Sequence, residues 1–234
     1  MDQEGSLITA DSAPRSLPVD VEHVGIRLAV PAAAFVGLVV LYVALSALFS
    51  TGESDEAFGC VIFGLAGGGA LGVGAVADRV LKRIWPSKRR VVIDAEGIRL
   101  TDRRKGADQQ ISIRWAHRIN ALGWRFTVKR GSARIPKGWI MLGCQLIQDD
   151  VAMILYTFAP AKEADESRYA GFIQLVLRSV INKGELPLRE ANRQRRLLRL
   201  EDERWEDGAE LRHADFAFLI DTLARYGATW QEQS

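Results

Sequence analysis

The chain has 234 residues, 48% of them hydrophobic, with 31 Lys and Arg against 29 Asp and Glu and a net charge of +2. Near-neutrality gives no electrostatic case for nucleic acid as the main partner. Two cysteines in unlike settings, Cys60 in an apolar run and Cys144 in a strand-like stretch, suggest neither a disulfide framework nor a zinc site.

Residues 1–27 are polar and precede the first apolar run, "LAVPAAAFVGLVVLYVALSALF", which is uncharged from Leu28 to Phe49. Its length of about 22 residues is enough to cross a hydrocarbon core roughly 30 Å thick. A cleaved signal peptide has a shorter apolar core, about 7–15 residues, close to the N-terminus. Pro31 falls in the first turn of this expected span, where a missing N–H costs little. A short acidic linker, "STGESDE", leads into a second uncharged run, and the expected transmembrane hairpin occupies 28–83, with spans at about 28–49 and 57–78.

The second run admits another reading. Gly67, Gly69 and Gly72 satisfy G-x-G-x-x-G, and Asp94 follows where a ribose-binding acid would stand. That fingerprint needs a strand, a tight loop and a helix N-terminus meeting a pyrophosphate. Downstream, no series of alternating strands and helices completes a doubly wound sheet. The same glycines suit a helix: Gly64, Gly68 and Gly72 recur every fourth residue and form one smooth face. Ala29, Ala33 and Gly37 offer a matching series on the first span, so the six are the expected span-packing residues.

Lys and Arg near span ends set orientation. The linker has none and carries Glu53, Asp55 and Glu56. The second span exits into Arg79, Lys82, Arg83, Lys88, Arg89 and Arg90, the expected contacts for anionic lipid. This places both termini in the cytoplasm, with the protein multi-pass in the inner (plasma) membrane.

Beyond Pro86 the periodicity changes to that of strands. "RRVVIDAEGIRLTD" reads as two strands about the turn Asp94–Gly97, with Gly97 suited to a positive φ. In "QQISIRWAH", Ile111, Ile113 and Trp115 alternate with polar residues. "RFTVKR", "GWIMLGCQLI" and "VAMILYTFAP" read as further strands. "DESRYAGFIQLVLRSVI" sets Tyr169, Phe172, Ile173, Leu175, Val176 and Val180 near helical spacing. The expected cytoplasmic domain, 88–183, is thus an antiparallel barrel or sandwich capped by a helix, and the fold class is membrane-anchored α+β.

The stretch "VIDAEGIRLTDRRKGADQQISIRWAHRI" resembles the opening hairpin and third strand of bacterial pleckstrin-homology-like domains, particularly the YcxB-like two-span membrane proteins. Ile113, Trp115 and Ile119 occupy the recurring isoleucine–tryptophan–isoleucine passage. The resemblance, over roughly 90–181, implies a curved antiparallel sheet closed by a C-terminal helix, two preceding spans, and a binding or scaffolding role without catalytic residues.

The chain continues past that domain as a charged helical tail, 184–234. "LREANRQRRLLRLEDERWEDG" reads as a solvated helix laced with Glu–Arg pairs. In the last element Leu211, Phe218, Leu219, Leu223 and Tyr226 form a stripe ending at Gly227. The three histidines, His23, His117 and His213, stand in different expected elements, and no H-x-x-x-H, C-x-x-C or G-x-S-x-G occurs. No catalytic, cofactor or metal residue is indicated. The expected function is a membrane-held interaction or regulatory module whose partners are the bilayer and a protein or a second copy. The alternatives are a small accessory subunit of a transporter or channel, and a dinucleotide enzyme using Gly67, Gly69, Gly72 and Asp94.

Overall fold

A computed structural model describes residues 13–20, 24–49, 56–104, 108–132, 134–176 and 186–230. The chain forms two compact units, one of residues 21–87 and one that combines the chain before residue 21 with residues 88–234.

The first unit is a pair of helices, α1 (Val24–Phe49) and α2 (Glu56–Ile84), of 26 and 29 residues. Both contain stretches long and apolar enough to cross a membrane, Gly25–Phe49 and Gly59–Ile84. Because α1 begins at Val24, Pro31 lies inside it rather than in its first turn. The "LAGGGALGVG" passage is continuous helix, so Gly67, Gly69 and Gly72 lie mid-helix and not at a phosphate-cradling helix start.

The contact face of α2 differs from the one its glycine spacing suggests. A side chain added at Gly64, Gly68 or Gly72 would meet nothing within 4 Å. The close approaches are at Gly69, where a Cβ would come within 2.5 Å of Leu41 Cδ1, and at Gly74, 3.3 Å from Ala34 Cβ. On α1, a Cβ at Gly37 would come within 3.1 Å of Val73, and Ala29 and Ala33 are half-buried. The pair is antiparallel, and Ile62, Ala66 and Ala70 complete the buried stripe of α2. Spacings of four hold for Gly64, Gly68 and Gly72 and equally for Ile62, Ala66 and Ala70, which is why the sequence pattern alone does not choose between the faces.

The second unit has two sheets. The first is β1 (Arg15–Pro18), β2 (Arg89–Ile93), β3 (Gly97–Asp102) and β4 (Gln109–Arg114), antiparallel throughout, in the order β1-β2-β3-β4. The second contains the meander β5 (Asn120–Thr127), β6 (Ile140–Gln148) and β7 (Val151–Ala159). Short parallel strands border it: β8 (Ile173–Gln174) and β10 (Thr229–Trp230) on β5, and β9 (Ala209–Glu210) on β7. Among the described residues, the sheets do not close into a barrel.

Alternation along the meander gives the second sheet two apolar faces. Leu142, Cys144, Leu146, Met153 and Leu155 join Val91, Ile98, Leu100 and Ile113 of the first sheet in the main core. Trp124, Met141 and Ile154 face the other way, against Leu197 and Leu200 of helix α4 (Leu188–Asp207). A last helix, α5 (His213–Arg225), adds Phe216, Leu219, Ile220 and Leu223 to the main core. It ends as expected, with Gly227 at φ +71°.

Three boundaries shift from the sequence reading. The supposedly plain N-terminal lead contributes β1, so the hairpin is an insertion between the first two strands of one folded unit. The region read as a tail supplies β9, β10 and the core of α5, and is integral to that unit. The helix expected at 165–181 is instead a one-turn helix α3 (Ala161–Ala164), a 3-10 turn (Ser167–Tyr169) and strand β8; residues 177–181 of it lie outside the described residues. Gly97 is also required for a different reason: its φ is not positive, but a Cβ would fall 2.0 Å from the Ile113 carbonyl oxygen across the ladder.

Candidate functional site: a crevice beside a buried arginine

Arg89 opens β2 as the chain returns from the hairpin, and only 4% of it is exposed. A buried guanidinium must have its donors and its charge matched. Nη1 donates to Asp20 Oδ2 at 3.0 Å and to the Gly208 carbonyl at 2.6 Å; Nη2 donates to the Asp207 carbonyl. Nε lies 3.1 Å from Asp102 Oδ2. Asp20, at φ +49°, is the last residue described before the hairpin helices. It exchanges two further bonds with Glu210, donating from its N–H and accepting from the Glu210 N–H through Oδ1. One arginine therefore ties the strand before the insertion, the strand after it, and the C-terminal end of α4.

Asp102 continues the network to Arg104, whose Nη2 stands 2.7 Å away. Burial pushes the Asp102 carboxyl up, but the Arg104 bonds and the charges of Arg89 and Arg104 outweigh it, and the group sits below its ordinary value. Beside this network opens a crevice of about 330 Å³ between β3, β4, β7 and α4. Leu100, Ile111, Met153 and Ile154 give it an apolar floor, while Asp102, Glu203 and Asp207 place carboxylates on its walls. Asp102 is already paired with Arg89 and Arg104, and Asp207 lies 4.0 Å from Arg104, so Glu203 is the wall carboxylate through which the crevice suits a group with an apolar stem and a cationic end.

Of the strands that border it, β4 is an edge of the first sheet and β7 is paired on one side by only a two-residue strand. The amide of Gln148 bonds the N–H and the carbonyl of Arg114, as a neighbouring strand would, and so satisfies the end of β4. Strand β7 pairs with β9 only at Leu155 and Tyr156.

Comparison with protein-family models, curated proteins and solved structures gave no match.

A second polar cluster lies at the start of α5. His213 Nδ1 is 2.8 Å from Glu163 Oε2, and its Nε2 is 3.1 Å from the Tyr169 hydroxyl. The spacing is that of a proton relay, but Tyr169 is fully buried among Phe172 and Phe216, and burial pushes its hydroxyl up to about 12. The relay anchors the 161–169 segment to α5. Among the described residues, no group of three or more His, Cys, Asp or Glu could hold a metal ion.

Of the expected lipid-contact residues, Arg79, Arg83, Lys88 and Arg90 are exposed, and Lys82 pairs with Asp78 at 2.9 Å. Arg89 must be withdrawn from that set, because it is buried and bonded as above. In the sequence it is one basic residue in a run of three, and nothing local distinguishes it. Asp94, the supposed ribose acid, caps the β2–β3 turn, accepting from the N–H groups of Glu96 and Gly97 and pairing with Arg99.

Proposed function

We propose that this protein is a two-span membrane protein presenting a cytoplasmic interaction module, pleckstrin-homology-like in role, whose recognition surface is the crevice beside Arg89. The observation that carries the reading is the pairing of β1 with β2, register Arg15–Ile93 to Pro18–Arg90, across the inserted hairpin. Strands that pair stand on one side of a bilayer, so a hairpin between them crosses an even number of times, down and back. Two helices of spanning length fit that requirement. The basic residues after α2, against a linker without any, support a cytoplasmic module. Glu203 on the wall of the crevice favours a basic segment of a partner protein over an anionic ligand.

Protease treatment of inverted and right-side-out vesicles tests the sidedness. The module should be degraded in inverted vesicles and protected in right-side-out ones; the opposite pattern, or extraction of the full chain by carbonate, defeats the reading.

A further inference from the structure

The exposed face of α4 carries an arrangement that the helix by itself disfavours. Leu188, Asn192, Arg195, Arg199, Asp202 and Glu206 are all exposed and spaced alternately four and three apart, forming one straight seam. Along it the charges are sorted: arginines toward the N-terminal half, carboxylates toward the C-terminal half. Glu206, in the last turn, opposes the helix dipole, whose C-terminus favours cations, while Arg195 and Arg199 lie beyond the first turn, where the dipole has little effect. Among the described residues, ion pairs within α4 include Arg193–Glu190 and Arg204–Glu201, and the second is turned inward over Tyr156.

We infer that this seam docks a second copy of the chain in antiparallel register, a deeper statement of the interaction role that rests on the reading above only for the membrane setting. A helix positive at one end and negative at the other is complementary to itself when reversed. With Arg195 opposite Glu206 of the second copy, the two-fold brings Arg199 opposite Asp202 of that copy. The arginine and carboxylate ends are roughly 16 Å apart along the axis, so no parallel arrangement brings them together. Exposed ion pairs are individually weak, and confinement of both copies to one bilayer supplies the concentration that makes a weak contact effective.

The test uses the full-length chain with fluorescent labels, in vesicles of neutral lipid, with energy transfer as the readout. Arg195→Glu and Glu206→Arg, each alone, should weaken self-association on the order of tenfold, because each sets like charges opposite one another. Mixed together, the two single variants should associate again, since each then supplies the charge the other needs, and the double variant R195E/E206R should recover as well. High salt should weaken the unmodified protein. Recovery on mixing cannot arise from a folding defect, and circular dichroism of each variant checks the fold directly. Self-association of the single variants at the unmodified level overturns the proposal, as does failure of the mixture to associate. So does a loss for Arg195→Glu seen only in binding to anionic vesicles, which would assign the arginine half to lipid.

Discussion

Asp20 and Arg89 are 69 positions apart in the chain and 3.0 Å apart in space, and the whole hairpin lies between them. The pair closes the base of the insertion inside the folded unit with a buried charge. Arg89→Met should destabilise the unit by about 3–5 kcal/mol, because Asp20 and Asp102 lose their shared cation. Asp20→Asn retains a residue tolerant of positive φ and a side-chain acceptor for the Glu210 N–H, and should cost clearly less. Thermal unfolding of the detergent-solubilised chain, followed by near-ultraviolet dichroism, checks both.

Gly97 tests the strand register. An alanine methyl there meets the backbone carbonyl of Ile113, which cannot swing aside as a side chain would. Gly97→Ala should cost about 1–3 kcal/mol through displaced backbone. Gly171→Ala, at a position with open space around it, is the control and should change the midpoint little.

The hairpin contact is checked by cross-linking in a background without Cys60 and Cys144. Leu41→Cys with Gly69→Cys should join rapidly under mild oxidation or a short bifunctional reagent, since those positions are in contact. Leu41→Cys with Gly68→Cys should react much more slowly, because Gly68 faces away. Equal rates would restore the glycine face inferred from spacing.

The long apolar helices and the meander strands are legible in the sequence because each repeats one local rule many times. Ile111 and Ile113 alternate as a half-buried strand must, and the charge-free runs exceed what a soluble helix needs. What escapes such rules is pairing at a distance. "RSLP" is too short to show a period, and its partner strand begins after the entire hairpin. Tyr169, Phe172 and Ile173 mimic a helical stripe, yet the chain turns at Ala170 and Gly171 and lays Ile173 beside Trp124 as a strand. The crevice is invisible for the same reason. Its carboxylates come from β3 and from the far end of α4, joined only when α4 packs on the second sheet.

Acid should weaken the second unit through Asp94 and Asp102. Burial pushes both carboxyls up, but the N–H groups and arginines about them hold each below 3.8. The unfolded chain therefore takes up protons at these sites before the folded chain does. Their contribution is fully present above pH 3.8 and is lost as pH falls through the lower folded-state values. In the variant D94N/D102N, stability below pH 4 should depend less steeply on pH than in the unmodified chain, as denaturant midpoints across that range would register.

At high pH the sign reverses. Burial pushes the hydroxyls of Tyr156 and Tyr169 from 10.0 to about 12, and for Tyr156 the Glu210 carboxylate adds to the effect against the opposing charge of Arg204. The unfolded chain loses these protons first, so the contribution is complete below pH 10 and disappears between pH 10 and about 12. Phenolate absorbance should show two of the four tyrosines ionising late, together with the loss of near-ultraviolet dichroism. Tyr169→Phe should remove one late titration and also loosen the 161–169 segment by freeing His213 Nε2, detectable as faster amide exchange there. If both hydroxyls titrate near pH 10 while the dichroism persists, neither tyrosine is held as described.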